Sequence, residues 1–289
     1  MRIVLAVVAA SCAVAGLSGC GSSSQAASRA TSVVAAFYPL AWAAEGAGGR
    51  TVEVTNLTPS GAEPHDIELT PREVVKLQRA DVVLYLSHGF QPAVEKAVRD
   101  ATGKRVDVLA GLTLRAGAGD EAGTADPHVW LDPVLFAGVV RRVGDVLGRS
   151  GRGDTLAQRV LGLDRAYRRG LSHCARREFV TSHAAFGYLA AHYGLRQIPI
   201  TGIDPEAEPS PRKLTELARL VRREHISTVF FERLVSPKLA QTVAREAGAK
   251  TAVLDPIEGL TPDEARGGVT YITLMLRNLA ALRAALGCR

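Results

Sequence analysis

The chain has 289 residues, enough for two domains of ordinary size, and its 47% hydrophobic fraction can fill real cores. Its 35 Lys and Arg against 29 Asp and Glu give a formal charge of +6, but the arginines are scattered through helical segments such as Arg141-Arg142 and Arg168-Arg169, and only 5% of residues are aromatic. No basic stripe is interleaved with aromatics, which argues against nucleic acid as a partner and for a solvated basic face.

The first segment is an export signal. Arg2 precedes an apolar run over residues 3–17, too short and too rich in small residues for a stable membrane span, so residues 1–19 read as a lipoprotein signal peptide. Its end, Leu17-Ser18-Gly19-Cys20, resembles the lipobox of bacterial lipoproteins, where cleavage leaves a cysteine that carries lipid. Residues 20–30 then form a Ser/Ala-rich flexible tether. Cys12 leaves with the signal and Cys20 is acylated, so Cys174 and Cys288 remain as a pair in an oxidising compartment, where a disulfide is expected.

The body alternates strands with helices. Residues 32–37 form a short apolar strand, 40–47 a helix stopped by Gly48-Gly49, and 51–57 a strand that runs into the proline-rich loop 58–66. Thr70-Pro71 opens helix 72–79, residues 81–87 form a buried strand, and helix 92–102 leads to strand 106–109 and the Gly/Ala loop 115–125. In Asp126-Pro127-His128-Val129-Trp130-Leu131-Asp132-Pro133 each proline keeps the preceding residue out of the helical region, and Asp132 caps a helix that begins at Pro133. Ser150-Gly151-Arg152-Gly153 breaks the chain, and in residues 154–172 Leu156, Val160, Leu163, Tyr167 and Leu171 recur at helical spacing, giving one long strut. The second half repeats the alternation. Strands at 178–182, 197–201, 227–232 and 251–254 are followed by helices 184–193, 212–224, 236–248 and 270–286. The expected fold is α/β: two lobes with mainly parallel sheets flanked by helices, an N-terminal lobe over 31–152, a linking helix over 153–174 and a C-terminal lobe over 175–289.

Candidate ligands fall at matching places: His65 and His128 in the first lobe, His183 and Asp255 in the second. Three follow a strand or the loop it feeds, and His65 reaches the same edge through its proline-rich loop, which is where open α/β sheets bind ligands. Three imidazoles and a carboxylate suit four-coordinate Zn2+ and leave a net charge of +1. Each has a plainer alternative: His65 can bond backbone in its loop, His183 can be a satisfied core histidine, and Asp255 ahead of Pro256 suits a turn. Glu63 and Glu208 are loop carboxylates able to orient an imidazole or stand in as fourth ligand. His88, directly after a strand, is a further residue that could line the cleft.

The stretches Glu63-Pro64-His65-Asp66, Asp126-Pro127-His128-Val129-Trp130, Thr181-Ser182-His183, Phe230-Phe231-Glu232 and Leu254-Asp255-Pro256 run in an order that closely resembles the solute-binding lipoproteins of bacterial zinc and manganese ABC importers. The resemblance implies that His65, His128, His183 and Asp255 are the metal ligands and that two lobes are joined by the long helix. It also implies a monomeric receptor on the outer face of the cell membrane, lipid-anchored through Cys20, that delivers metal to a permease and its ATPase. In that family the third ligand is often His in zinc receptors and Glu in manganese receptors, so His183 favours Zn2+, with Mn2+ or Fe2+ as alternatives. The chain departs from many zinc members in loop 115–125, which carries Asp120 and Glu121 but no histidine. A zinc hydrolase is the rival from another class. No His-Glu-x-x-His motif or nucleophile elbow supports it, and the expectation is a receptor rather than an enzyme.

Overall fold

The computed structural model describes residues 29–117 and 124–289. The signal segment, Cys20, nearly all of the tether and Asp120 and Glu121 lie outside the described residues. Two four-stranded sheets carry the fold. The first holds β1 (Thr31–Ala35), β2 (Val52–Asn56), β3 (Val82–Tyr85) and β4 (Lys104–Asp107) in the order β2-β1-β3-β4. The second holds β5 (Glu178–Thr181), β6 (Arg196–Pro199), β7 (Thr228–Phe231) and β8 (Lys250–Val253) in the matching order β6-β5-β7-β8. Every strand pair is parallel. In each sheet the winding reverses beside the first strand, which opens a crevice outside the carboxyl ends of the strands.

The helices are α1 (Tyr38–Gly48), α2 (Pro71–Arg79), α3 (Pro92–Val98), α4 (Pro133–Val146), α5 (Ser150–Gly170), α6 (Gly187–His192), α7 (Pro211–Arg223), α8 (Lys238–Ala247), α9 (Pro262–Arg266) and α10 (Tyr271–Leu286). Their starts follow local chemistry. Thr70 and Glu73 form a reciprocal capping box at α2, and the Asp132 carboxylate accepts the Val134 and Leu135 amides at α4, with proline in the first turn of both. Among the described residues no helix is long and apolar enough to cross a membrane.

Three local expectations change. The glycines at 151 and 153 do not break the chain, because α5 is a 21-residue helix that already begins at Ser150. Gly153 serves contact between helices instead: a Cβ on Gly144 of α4 would stand 2.7 Å from the Gly153 Cα. The helix expected over 92–102 ends at Val98, because Thr102 gives both its amide and its hydroxyl to the Gln78 carbonyl. The short α9 was not foreseen, although Thr261 and Glu264 form its capping box.

One continuous apolar core joins the first sheet to α1, α4, α5, the inner side of the second sheet and α10. Tyr271 of α10 packs against Trp42 and Phe136 of the first lobe with ring centroids 5.0 and 4.5 Å apart, and the Tyr167 hydroxyl of α5 donates to the Met275 carbonyl at 2.7 Å. A second, smaller core lies between the outer side of the second sheet and α7 and α8, around Ile198, Leu217, Val221 and Val243. The expected disulfide is present: Cys174, just past α5, is bonded to Cys288, just past α10.

Candidate metal centre

The carboxyl ends of the two sheets face each other, and the sequence delivers polar side chains to that seam. His65 rides the loop after β2, where the Glu63 carboxylate accepts its backbone amide at 2.8 Å and Phe90 meets its ring edge-on at 4.6 Å. His128 sits in the turn before α4 with its ring fully buried, and its Nδ1 lies 2.8 Å from Asp126 Oδ1. His183 directly follows β5, also fully buried, with Nδ1 2.6 Å from Glu232 Oε1. Glu232 in turn follows β7.

Among the described residues one group of side chains could hold a metal ion: His65, His128, His183 and Glu258, with ligand atoms all within 4.8 Å of one another. Glu258 Oε1 lies 3.2 Å from His128 Nε2 and 3.5 Å from both His65 Nε2 and His183 Nε2, and the two buried imidazoles approach at 3.3 Å through Nε2. These atoms point at a common space from both lobes. His65 Nε2 and Glu258 Oε1 are buried without a hydrogen-bond partner among the described residues, an arrangement that costs free energy unless something binds there.

The three imidazole nitrogens Nε2 converge, while two of the opposite nitrogens are held by carboxylates. That pairing fixes the ring orientation and makes the coordinating nitrogen more basic. Burial alone would push His128 and His183 down, but Glu232 and Glu258 hold His183 well above the ordinary imidazole value, and Asp126 and Glu258 raise His128. Burial likewise opposes the charge on Glu258, yet the surrounding imidazoles keep it well below the usual carboxylate range. Glu63, buried and facing Glu258, is pushed up to about 8. Without a cation the cluster is a carboxylate ringed by protonatable imidazoles, and a divalent ion can replace those protons.

The carboxylate in this group is that of Glu258, where the sequence points to Asp255. Asp255 stands outside the group, because its carboxylate is already used: Oδ1 accepts the Ile257 amide at 2.7 Å and Oδ2 lies 3.4 Å from Arg233 Nε. Burial pushes Asp255 up to about 7, opposed by the Ile257 amide. It builds the turn that carries Glu258. Ile257 adopts φ 59, a left-handed conformation rare for a β-branched residue. The turn is pinned by Asn278, which exchanges two hydrogen bonds with the Asp255 backbone, and by Trp130, whose indole nitrogen donates to the Pro256 carbonyl at 2.7 Å. Glu63 lies outside the group, and its carboxylate accepts the backbone amides of His65 and Asp66, not an imidazole N–H. Glu208 lies exposed in the loop between β6 and α7, outside the group.

No local motif marks Glu258, which lies three residues past the aspartate at the strand end. Asp126 and Glu232 were visible as residues but not as partners. The legible sign for Glu232 was an acid closing an apolar strand, since a buried carboxylate there needs a partner.

The family profile described as zinc-uptake complex component A, periplasmic, matches residues 33–285. The zinc-binding protein AdcA of Streptococcus pyogenes serotype M6 is 36% identical over 283 residues, covering 87% of this chain, which spans only 55% of that longer protein. The high-affinity zinc uptake system protein ZnuA of Bacillus subtilis is 34% identical over 274 residues, covering 87% of this chain and 86% of its own. The crystal structure of the Zn(II)-bound ZnuA-like domain of Streptococcus pneumoniae AdcA superposes with a TM-score of 0.75 at 35% identity, over 89% of this chain and 99% of that one.

Proposed function

The chain belongs to the family of zinc-uptake complex component A proteins, and we propose that it is an extracytoplasmic receptor that captures Zn2+ between its lobes and hands it to an ABC permease and its ATPase. One observation carries this reading: three imidazole Nε2 atoms and one carboxylate oxygen, supplied in equal number by the two lobes, converge within 4.8 Å. A modest contraction of that set would bring each donor to the roughly 2.0 to 2.2 Å of a zinc bond. The proposed ligands are His65, His128, His183 and Glu258, with Asp126 and Glu232 orienting two of the rings. Names of relatives that bind zinc support the choice of ion.

Four protein donors fill a tetrahedral shell and leave no place for an activated water, as a carrier requires and a zinc hydrolase does not. Cys20 is the proposed lipid anchor, on the strength of the apolar run and small residues ahead of it. The long α5, packed along most of its length, favours small tilts of the lobes and loop movement at His65 over wide hinge bending. Competition of purified protein with a fluorescent zinc chelator tests the reading. One Zn2+ per chain is expected, held more tightly than Mn2+, with the stoichiometry lost in His183→Ala. Equal retention of zinc by that variant would refute the site.

A further inference from the structure

Three of the four donors are sealed: the His128, His183 and Glu258 side chains are 0%, 0% and 2% exposed, whereas His65 keeps 9%. Among the described residues, two cavities of about 290 Å³ each flank the seam. The charged residues lining the first are Arg115, Arg196 and Asp126, and it touches none of the four donors. The second ends on His65, and Asp66, His88 and Asp204 line it with Phe90 and Pro127 as apolar walls. Asp66, His88 and Asp204 are exposed, so the cavity communicates with solvent. Asp204 comes from the second lobe, in the loop after β6, while the others belong to the first.

We infer that the His65 cavity is the route by which the cation reaches and leaves the buried site, and that Asp66, His88 and Asp204 form an outer capture point along it. This rests on the reading that His65, His128, His183 and Glu258 hold the ion. A hydrated divalent cation approaching the first cavity meets two arginines, and the one carboxylate there, Asp126, is 4% exposed and already bonded to His128. Approaching the other, it meets two carboxylates and an imidazole, oxygen and nitrogen donors able to replace water stepwise, and then the one donor still in touch with solvent. Because the capture residues sit on the path and not in the final shell, they act on the rates of loading and release more than on the equilibrium between them. His65 is then the first of the four to bind and the last to let go.

Stopped-flow mixing of the metal-free chain with ZnCl2, and of the loaded chain with excess EDTA, tests this in wild type, in the exposed triple variant D66N/H88A/D204N, and in R196A as a control on the other cavity. The triple variant is expected to load about 10-fold more slowly, within the range of charge-steered association, and to release more slowly by a similar factor. Its Kd should change by less than about threefold, the salt dependence of its loading rate should flatten, and R196A should match wild type. Loading and release within twofold of wild type in the triple variant, or a weakened Kd with an unchanged loading rate, would overturn the inference while leaving the receptor reading intact. A wild-type chain that takes up no stoichiometric zinc would instead sink both.

Discussion

The first lobe contributes one donor on a proline-rich loop, His65, and one in a buried turn, His128. The second contributes His183 at the end of β5 and Glu258 on a turn whose Pro256 carbonyl is held by Trp130 of the first lobe. Both lobes use the same strand order, yet their cores differ. The first is continuous with α5, α10 and the inner side of the second sheet, and only the outer side of the second lobe has an apolar core of its own. Shared topology therefore places donors at equivalent edges, while packing decides which of them is fixed. Three donors are locked by buried partners and by the common core, and His65 alone combines residual exposure with a loop seat.

The largest effect should come from cutting the common base. Cys174 and Cys288 tie the chain just past α5 to the chain just past α10 across a sequence separation of 114 residues. By the chain-entropy estimate, Cys174→Ser with Cys288→Ser should lower stability by roughly 4 to 5 kcal/mol, read as a fall in denaturation midpoint of the metal-free chain, with zinc affinity changed by less than threefold. A large affinity loss would mean that the lobes are not held together by packing alone.

Next in size, His128→Ala and Glu258→Gln should each weaken zinc binding on the order of 10²- to 10³-fold in chelator competition, as expected when one of four donors is removed. Asp255→Asn should cost far less, about 10-fold, because it acts only through the turn that carries Glu258. The reverse order would return Asp255 to the first shell and break the assignment.

That contrast marks where sequence reasoning ran out. The strand and helix alternation, the Asp132 cap and three histidines were legible because each depends on residues within a few positions of one another or on the strand that ends beside them, and the disulfide was legible from the cysteine count, since Cys12 and Cys20 fall to the expected signal and anchor. Glu258 was not, because its position is set by a left-handed Ile257 and by bonds from Asn278 and Trp130, residues 20 or more positions away in the chain. Gly153 reads differently for a related reason: glycine signals a break locally, and only the approach of α4 shows that it is there for contact.

The carboxylates behind the rings should matter less than the donors. Glu232→Gln and Asp126→Asn are each expected to weaken zinc binding 10- to 100-fold, with Glu232 the larger because its contact with His183 is the shorter, at 2.6 against 2.8 Å. Equal affinity for both variants and wild type would show that packing alone orients the imidazoles.

The pH dependence is the gentlest lever. In the metal-free site His128 and His183 lie above the ordinary imidazole value, so binding zinc must displace their protons. Affinity should therefore rise with pH through and beyond about 6.5, and fall by about 10-fold per unit for each proton taken up as the pH drops below the raised values. Titration between pH 8 and 5.5 checks the slope, and a flat profile would count against histidine ligation.

In the proposed complex a four-coordinate zinc is held by three imidazoles and the carboxylate of Glu258. X-ray absorption at the zinc edge, on protein loaded with one equivalent, tests it most directly. Four nitrogen and oxygen neighbours are expected at about 2.0 to 2.2 Å, with outer-shell scattering from three imidazole rings that persists in Glu258→Gln while the oxygen contribution changes. A six-coordinate oxygen shell, or fewer than three imidazoles, would contradict it.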